Sequence, residues 1–164
     1  MKTLTVVLGL TLAGLAIGVR ADAGASEAIQ KEATMTARGT FEVKMTPQPQ
    51  DDSAGGGFDR LFGYKQFHGD LDGTGKGHML AARTAVEGSG AYVALELVTG
   101  KLNGRRGTFV LQHKGTMSKG HYMMDVTVVP DSGTDELTGI TGTMTIIIEG
   151  GKHSYKFEYT LSAH

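Results

Sequence analysis

The chain has 164 residues, which suits one domain better than two, and its 40% hydrophobic and 20% charged residues are ordinary for a soluble globular protein. The formal net charge is −1, and the longest basic feature is the Arg105–Arg106 pair near Lys101, so the chain lacks the basic face of a nucleic-acid binder. The absence of cysteine excludes disulfides, thiolate metal sites and a cysteine nucleophile.

The first 23 residues have the pattern of a signal peptide. Lys2 supplies the positive start, residues 4–19 are almost entirely apolar, and Ala21–Ala23 matches the A-x-A cleavage pattern, with residues 19–21 as a second candidate. The alternative is an uncleaved membrane anchor, but the segment is shorter than the roughly 20 apolar residues that a span needs. We therefore predict a signal peptide at 1–23, a flexible lead-in at 24–33, a β-barrel domain at 34–162, and a mature protein that is periplasmic or secreted and has no membrane contact.

The mature chain begins its ordered pattern at Thr34 with strict alternation of side-chain character. Strand one has one largely apolar face, which consists of Met35, Ala37, Gly39, Phe41, Val43 and Met45. This repeat of two residues is typical of a half-buried strand. Residues 47–49 end the strand, and the glycine-rich residues 50–57 predict a surface loop.

Seven further strands follow at nearly even spacing. They are predicted at Leu61–Leu71, Lys76–Thr84, Ala91–Thr99, Arg106–Met117, His121–Val129, Gly139–Glu149 and Lys152–Leu161. Asp72–Gly73 and Asn103–Gly104 are the clearest hairpin turn signals between them.

Short turns between eight strands predict an up-and-down meander. A flat meander would leave two exposed edges, and closure of the sheet removes both. The fold class predicted is therefore all-β, a single closed antiparallel barrel of about eight strands. A two-sheet sandwich is the structural alternative.

Four segments carry a resemblance that covers residues 34–161, namely Phe67–Leu71, Ala91–Glu96, Phe109–His113 and Val129–Thr134. In these segments the chain resembles a widespread bacterial family, a domain of unknown function similar in fold to the allene oxide cyclase and dirigent barrels. Residues 133–142 resemble the Gly-Thr-Gly-x-Phe loop of those barrels, with Asp135 in place of the second glycine and Leu137 in place of the aromatic residue. The resemblance implies an eight-stranded barrel that is often oligomeric, and it implies no particular reaction.

His113 is the first candidate for chemistry. It shares a strand face with Phe109 and Leu111, so we expect it to be partly buried. A buried imidazole needs a polar partner. It is either a structural histidine bonded to a backbone carbonyl or a proton donor and acceptor inside the barrel.

Glu96 is the second candidate, and its strand has two largely apolar faces. Alternation alone puts Val93, Leu95 and Leu97 inside and leaves Glu96 in solvent. If a subunit interface covers the outer face instead, Tyr92 and Glu96 point into the barrel. Arg83 is then the cation expected to pair with the carboxylate, since burial alone would raise the pKa of Glu96.

Other site types have no sequence support. The run from Gly73 to Gly77 lacks the spacing of a phosphate loop, and the run that begins at Asp70–Gly73 lacks that of a calcium loop. No cofactor is predicted. The six histidines form no H-x-H or H-x-x-x-H pair, and no metal site is predicted.

The sequence thus predicts an exported barrel that binds a small apolar molecule. We expect the ligand to contact Tyr92, Glu96, Phe109, His113, Tyr122, Met124, Tyr155 and Phe157. One alternative is a cofactor-free isomerase or cyclase acting on a small lipophilic substrate, with Glu96, His113 and Arg83 as catalytic residues. The other is a structural module that forms a homo-oligomer.

Overall fold

The structure is a computed structural model that describes residues 33–49 and 57–162. Eight strands run in chain order: β1 (Met35–Pro47), β2 (Phe58–Gly69), β3 (Leu71–Arg83), β4 (Gly90–Leu102), β5 (Arg105–Ser118), β6 (His121–Val128), β7 (Ile140–Glu149) and β8 (Lys152–Leu161). Each strand pairs antiparallel with the next, and β1 also pairs with β8. The predicted closed up-and-down barrel is confirmed, and the two-sheet sandwich is wrong.

The closing seam is tight around Gly39, which lies opposite Gly69 on β2 and Tyr155 on β8. A Cβ atom at Gly39 would overlap the carbonyl oxygen of His68 and the Tyr155 side chain, so only glycine fits there. The Tyr155 hydroxyl accepts a 2.8 Å hydrogen bond from the backbone N–H of Leu71. The buried ring therefore ties β8 to the start of β3 across the barrel interior.

One of the two turn signals is confirmed and the other is wrong. Asn103 and Gly104 form the β4–β5 turn with φ angles of 48° and 84°. Asp72 and Gly73 lie inside the β3–β4 ladder instead, opposite Lys101 and Gly100. The chain turns earlier, at residues 69–70, because the fully buried Leu71 belongs to the barrel interior.

The end of the barrel that carries the β2–β3, β4–β5 and β6–β7 connections is filled with side chains. Its core includes Ala37, Leu71, Leu102, Phe109, Leu111, Val126, Leu137, Ile140, Phe157 and Tyr159. Leu137 comes from a short 3₁₀ helix, Asp135–Leu137, between β6 and β7, which the sequence did not predict. Its side chain is 1% exposed and closes this end of the barrel.

The outer face of β3 and β4 exposes large apolar side chains. Leu80, Val93, Leu95 and Leu97 are each about half exposed. Leu80 lies opposite Val93 in the ladder, and Leu95 and Leu97 continue the same face of β4. These side chains form an exposed apolar area on the outside of the barrel.

The predicted signal peptide at 1–23, the lead-in at 24–33 except for Ala33, and the loop at 50–57 except for Gly57 lie outside the described residues. In the part of the chain that the structure does describe, no helix has the length and hydropathy to cross a membrane.

Candidate functional site

A cavity of about 300 Å³ occupies the other end of the barrel. All eight strands contribute to its wall, which is mainly apolar. The lining includes Phe41, Val43, Met45, Gly63, Lys65, Gly77, Met79, Tyr92, Ala94, Glu96, His113, Tyr122, Met124, Ile146, Ile148 and His153. This volume is at the lower end of the range for small-molecule sites.

Lys65, Glu96 and His113 meet where the cavity adjoins the filled core, and we call these three residues the polar cluster. They come from β2, β4 and β5, and each side chain lies on the inward face of its strand. Glu96 is 5% exposed, and so is His113. Buried charged and polar groups need hydrogen-bonding partners, and these three residues provide them for one another.

Strand β3 lies between β2 and β4, and it makes room for the polar cluster because it has a glycine beside the Glu96 side chain. Gly75 of β3 lies opposite Lys65 on β2 and Val98 on β4. A Cβ atom at Gly75 would overlap Glu96 Oε1. The carboxylate therefore occupies space that any other residue at position 75 would fill.

One carboxylate oxygen accepts both hydrogen bonds of the cluster. Glu96 Oε2 lies 2.7 Å from Lys65 Nζ and 2.8 Å from His113 Nε2. Glu96 Oε1 is buried and has no hydrogen-bond partner in the described part of the chain. Lys65 Nζ also stands 5.0 Å from the centroid of the Phe41 ring, within range of a cation–π interaction.

The partners decide the ionisation of Glu96. Burial acts to raise its pKa, but the hydrogen bond from His113 and the positive charge of Lys65 outweigh burial, so the pKa lies below its ordinary value of 4.5. Glu96 is therefore a carboxylate near neutral pH. Since a carboxylate only accepts, the bonded Nε2 of His113 carries the hydrogen.

A pair of tyrosines forms a second polar feature in the cavity wall. The hydroxyls of Tyr92 and Tyr122 lie 2.9 Å apart, and the Tyr92 hydroxyl also contacts Met124 Sδ at 3.1 Å. Burial, together with the hydrogen bond to Tyr122, raises the pKa of Tyr92 well above its ordinary value. The Tyr92 hydroxyl therefore acts as a neutral hydrogen-bonding group.

The structure brings Glu96 and His113 together but places Arg83 elsewhere. Arg83 shares the inward face of β3 but lies at the last residue of that strand, beyond the barrel interior. Its side chain is 88% exposed and pairs with Asp59 at 3.3 Å. The expected Arg83–Glu96 pair is wrong, and Lys65 is the cation. The partner of His113 Nε2 is likewise a carboxylate and not a backbone carbonyl.

The eight expected ligand contacts divide between the two ends of the barrel. Tyr92, Glu96, His113, Tyr122 and Met124 line the cavity. Phe109, Tyr155 and Phe157 do point inward, but they lie in the filled core and not in the cavity wall. The Phe109 and Phe157 rings stack on each other at 5.6 Å between centroids, which fills the space that a ligand would need.

Sequence reasoning missed Lys65 and His153. Lys65 carried a usable signal, because it shares a strand face with Leu61, Gly63 and Phe67 and is thus a charge on an apolar face. His153 stands at the start of β8, where its ring lies 5.1 Å from that of Phe41. Among the described residues, no group of three or more His, Asp or Glu side chains is arranged to hold a metal ion.

The comparisons with known proteins agree on a family. A model of a protein family of unknown function, DUF3224, matches residues 37–159. The chain belongs to the DUF3224 family. A crystal structure of a DUF3224 protein of unknown function from Shewanella oneidensis MR-1 is 45% identical, covers 80% of this chain and 100% of its own, and superimposes with a TM-score of 0.75. No curated protein matches this DUF3224 chain significantly.

The lowered pKa of Glu96 predicts how the Glu96→Gln variant changes with pH. A lowered folded-state pKa stabilises the fold fully above the ordinary value of 4.5, and this contribution disappears as the pH falls through the folded-state pKa. At pH 7 we expect Glu96→Gln to lower the free energy of unfolding by about 1–3 kcal/mol. The loss should shrink below pH 4.5, since protonated Glu96 resembles glutamine.

Urea unfolding of both proteins between pH 3 and 7 measures this difference. Glu42→Gln is the matched control, because the Glu42 side chain is 75% exposed and His68 is its one ion-pair partner among the described residues. An equal effect of Glu96→Gln at pH 3.5 and pH 7 would contradict the assigned ionisation.

Proposed function

We propose that this DUF3224 barrel binds a small, mainly apolar molecule in its cavity and recognises a polar group of that molecule through the polar cluster. The observation that carries the proposal is the contrast between the two ends of one barrel. One end is packed with aromatic and aliphatic side chains, and the other leaves about 300 Å³ bounded by smaller or more flexible ones. A site of this kind, apolar with a few convergent polar groups, is typical of ligand binding.

The wall has the composition of an adaptable site. Met45, Met79 and Met124 line the cavity, and unbranched thioether side chains adjust to irregular shapes. Ala94, directly opposite His113 in the β4–β5 ladder, contributes little volume. A second depression, of about 550 Å³, lies against the β3–β4 connection and shares Met79, Tyr92 and Tyr122 with the cavity. This depression supports entry of the ligand into the cavity beside the β3–β4 connection.

Filling the cavity tests the proposal. The neutral probe octan-1-ol should raise the melting temperature of the mature protein, and a hundredfold excess over Kd corresponds to about 2.7 kcal/mol of stabilisation. Ala94→Trp should remove the effect by occupying the cavity, and Ile146→Trp should do the same from the opposite wall.

Thr145→Trp is the matched control, because Thr145 is the neighbour of Ile146 and is exposed on the outer face of β7, away from β3 and β4. Thermal unfolding of each variant without ligand shows that it is folded. Binding that persists in both cavity-filling variants, or the absence of binding to the parent protein across linear and branched alcohols, would contradict the proposal.

A specific observation also favours the second candidate, a cofactor-free isomerase or cyclase. The Glu96 carboxylate orients the His113 ring and fixes its hydrogen on Nε2, as a general base requires. In this proposal Glu96 and His113 move or stabilise a proton of the substrate, Lys65 stabilises developing negative charge, and Arg83 has no part.

Molecules that copurify with His113→Gln decide between binding and catalysis. If the protein is an isomerase, wild-type protein should convert the copurified molecule into one of identical mass and different chromatographic retention. His68→Gln, an exposed histidine variant outside the cavity, should copurify with the converted form. A molecule that wild type leaves unchanged would oppose catalysis and leave binding.

We also propose that the chain is exported and that the mature barrel self-associates through the apolar outer face of β3 and β4. The signal-peptide pattern of residues 1–23 supports the first and the exposure of Leu80, Val93, Leu95 and Leu97 supports the second. Protein recovered from the export compartment should have the intact mass of a chain that begins at Gly24. Light scattering should give a multiple of the subunit mass, and a monomer at high concentration would contradict self-association.

A further inference from the structure

The polar cluster has hydrogen-bonding capacity left over after its own contacts are counted. The Lys65 ammonium has three N–H groups, and Glu96 Oε2 is its one hydrogen-bond partner among the described residues. The remaining N–H groups lie at the cavity wall beside the Phe41 ring. Lys65 can therefore donate to a ligand without giving up Glu96.

His113 offers the opposite capacity. Its Nε2 hydrogen bonds to Glu96, so the neutral ring presents an unprotonated Nδ1, which has no hydrogen-bond partner among the described residues. His113 belongs to the cavity lining, and its Nδ1 atom, unlike Glu96 Oε1, is not fully buried without a partner. Nδ1 is therefore an acceptor that the cavity can reach.

The charges of the cluster determine which ligand group suits these two atoms. Lys65 and Glu96 compensate each other, so an anion entering the cavity alone would be a buried charge without a counterion. One proton added to His113 Nδ1 supplies that counterion and a second donor. Two positive and two negative groups then stand together, and each oxygen of a carboxylate has a donor.

We propose that the ligand is a monocarboxylic acid with a compact apolar body, and that it binds as the carboxylate to Lys65 and to His113, which takes up one proton. This inference rests on the proposed ligand-binding function. A volume of 300 Å³ corresponds to about ten water molecules at about 30 Å³ each, and octanoic acid has about the same number of non-hydrogen atoms.

Other groups near the cavity bear on the pH dependence. His153 lies on the β8 side of the cavity against the Phe41 ring, and the Tyr92–Tyr122 pair lies on the β4–β6 side. Tyr92 stays neutral in the range of interest because its pKa is raised. His153 and His78 are the other histidines that line the cavity, and their protonation must be distinguished from that of His113.

Calorimetry with three probes of equal length tests the proposal on the mature protein. Octanoate should bind, and measurements in buffers of different ionisation enthalpy should show that a proton is taken up on binding. Its affinity should therefore fall as the pH rises. Octan-1-ol should bind without proton uptake, and octylamine should bind more weakly than either because it faces Lys65.

Variants assign the two contacts. Lys65→Met should weaken octanoate by about tenfold or more and octan-1-ol by much less, since only the acid uses the charge. His113→Gln should abolish proton uptake, whereas His153→Gln, His78→Gln and the exterior control His68→Gln should retain it. The proton uptake of the parent protein is informative even if a variant does not fold.

The outcomes separate this inference from the function on which it rests. Equal affinity for octanoate and octan-1-ol without proton uptake would overturn the acid and leave ligand binding intact. Preference for octylamine would overturn it in favour of a cation at Glu96. Proton uptake lost in His153→Gln and kept in His113→Gln would overturn the role of His113. Failure of all three probes would count against both proposals.

Discussion

The pairing of β1 with both β2 and β8 is the constraint on which the rest of the structure depends. It removes both sheet edges and fixes a finite interior, into which every second side chain of eight strands must fit. Large rings at one end use up that space, as the stacked Phe109, Phe157 and Tyr159 show. Glycine and alanine at the other end, at Gly63, Gly77 and Ala94, leave it unfilled. The cavity is therefore a consequence of where small residues fall along the inward faces.

The polar cluster is not what stability alone would place in this interior. Removing an ion pair from water costs several kcal/mol per charge, and apolar residues of similar volume often stabilise a fold at least as well. Glu96 has two partners on one oxygen while its other oxygen is buried without any. Gly75 also gives up a side chain to admit it. Such a costly arrangement at the floor of a cavity is more readily explained by recognition or chemistry than by packing.

Alternation predicted the strands and, except on β4, the strand faces that point inward, because the two-residue repeat records only the two faces of a strand. It does not record the level along the barrel axis, which depends on strand tilt and stagger. Phe109 and His113 share one face of β5, yet one is core and the other is cavity wall. For the same reason alternation did not reveal that Lys65 is a partner of Glu96, since the two residues are separated by 31 positions and by one intervening strand. Asp72–Gly73 failed as a turn because burial of Leu71 overrode the local preference.

The register of strand β4 determines both which of its side chains face the interior and which face the outer surface. Its inward face carries Glu96 and its outward face carries Val93, Leu95 and Leu97, so hydropathy alone favours the reverse orientation. Fully buried Val98 and Leu102 at the filled end hold the observed register, because a shift of one residue would move both to the outside. The register that delivers the carboxylate to Lys65 and His113 therefore also exposes three large apolar side chains. Covering them with a second copy would stabilise the same register that builds the cavity, so that assembly and ligand recognition would depend on one another.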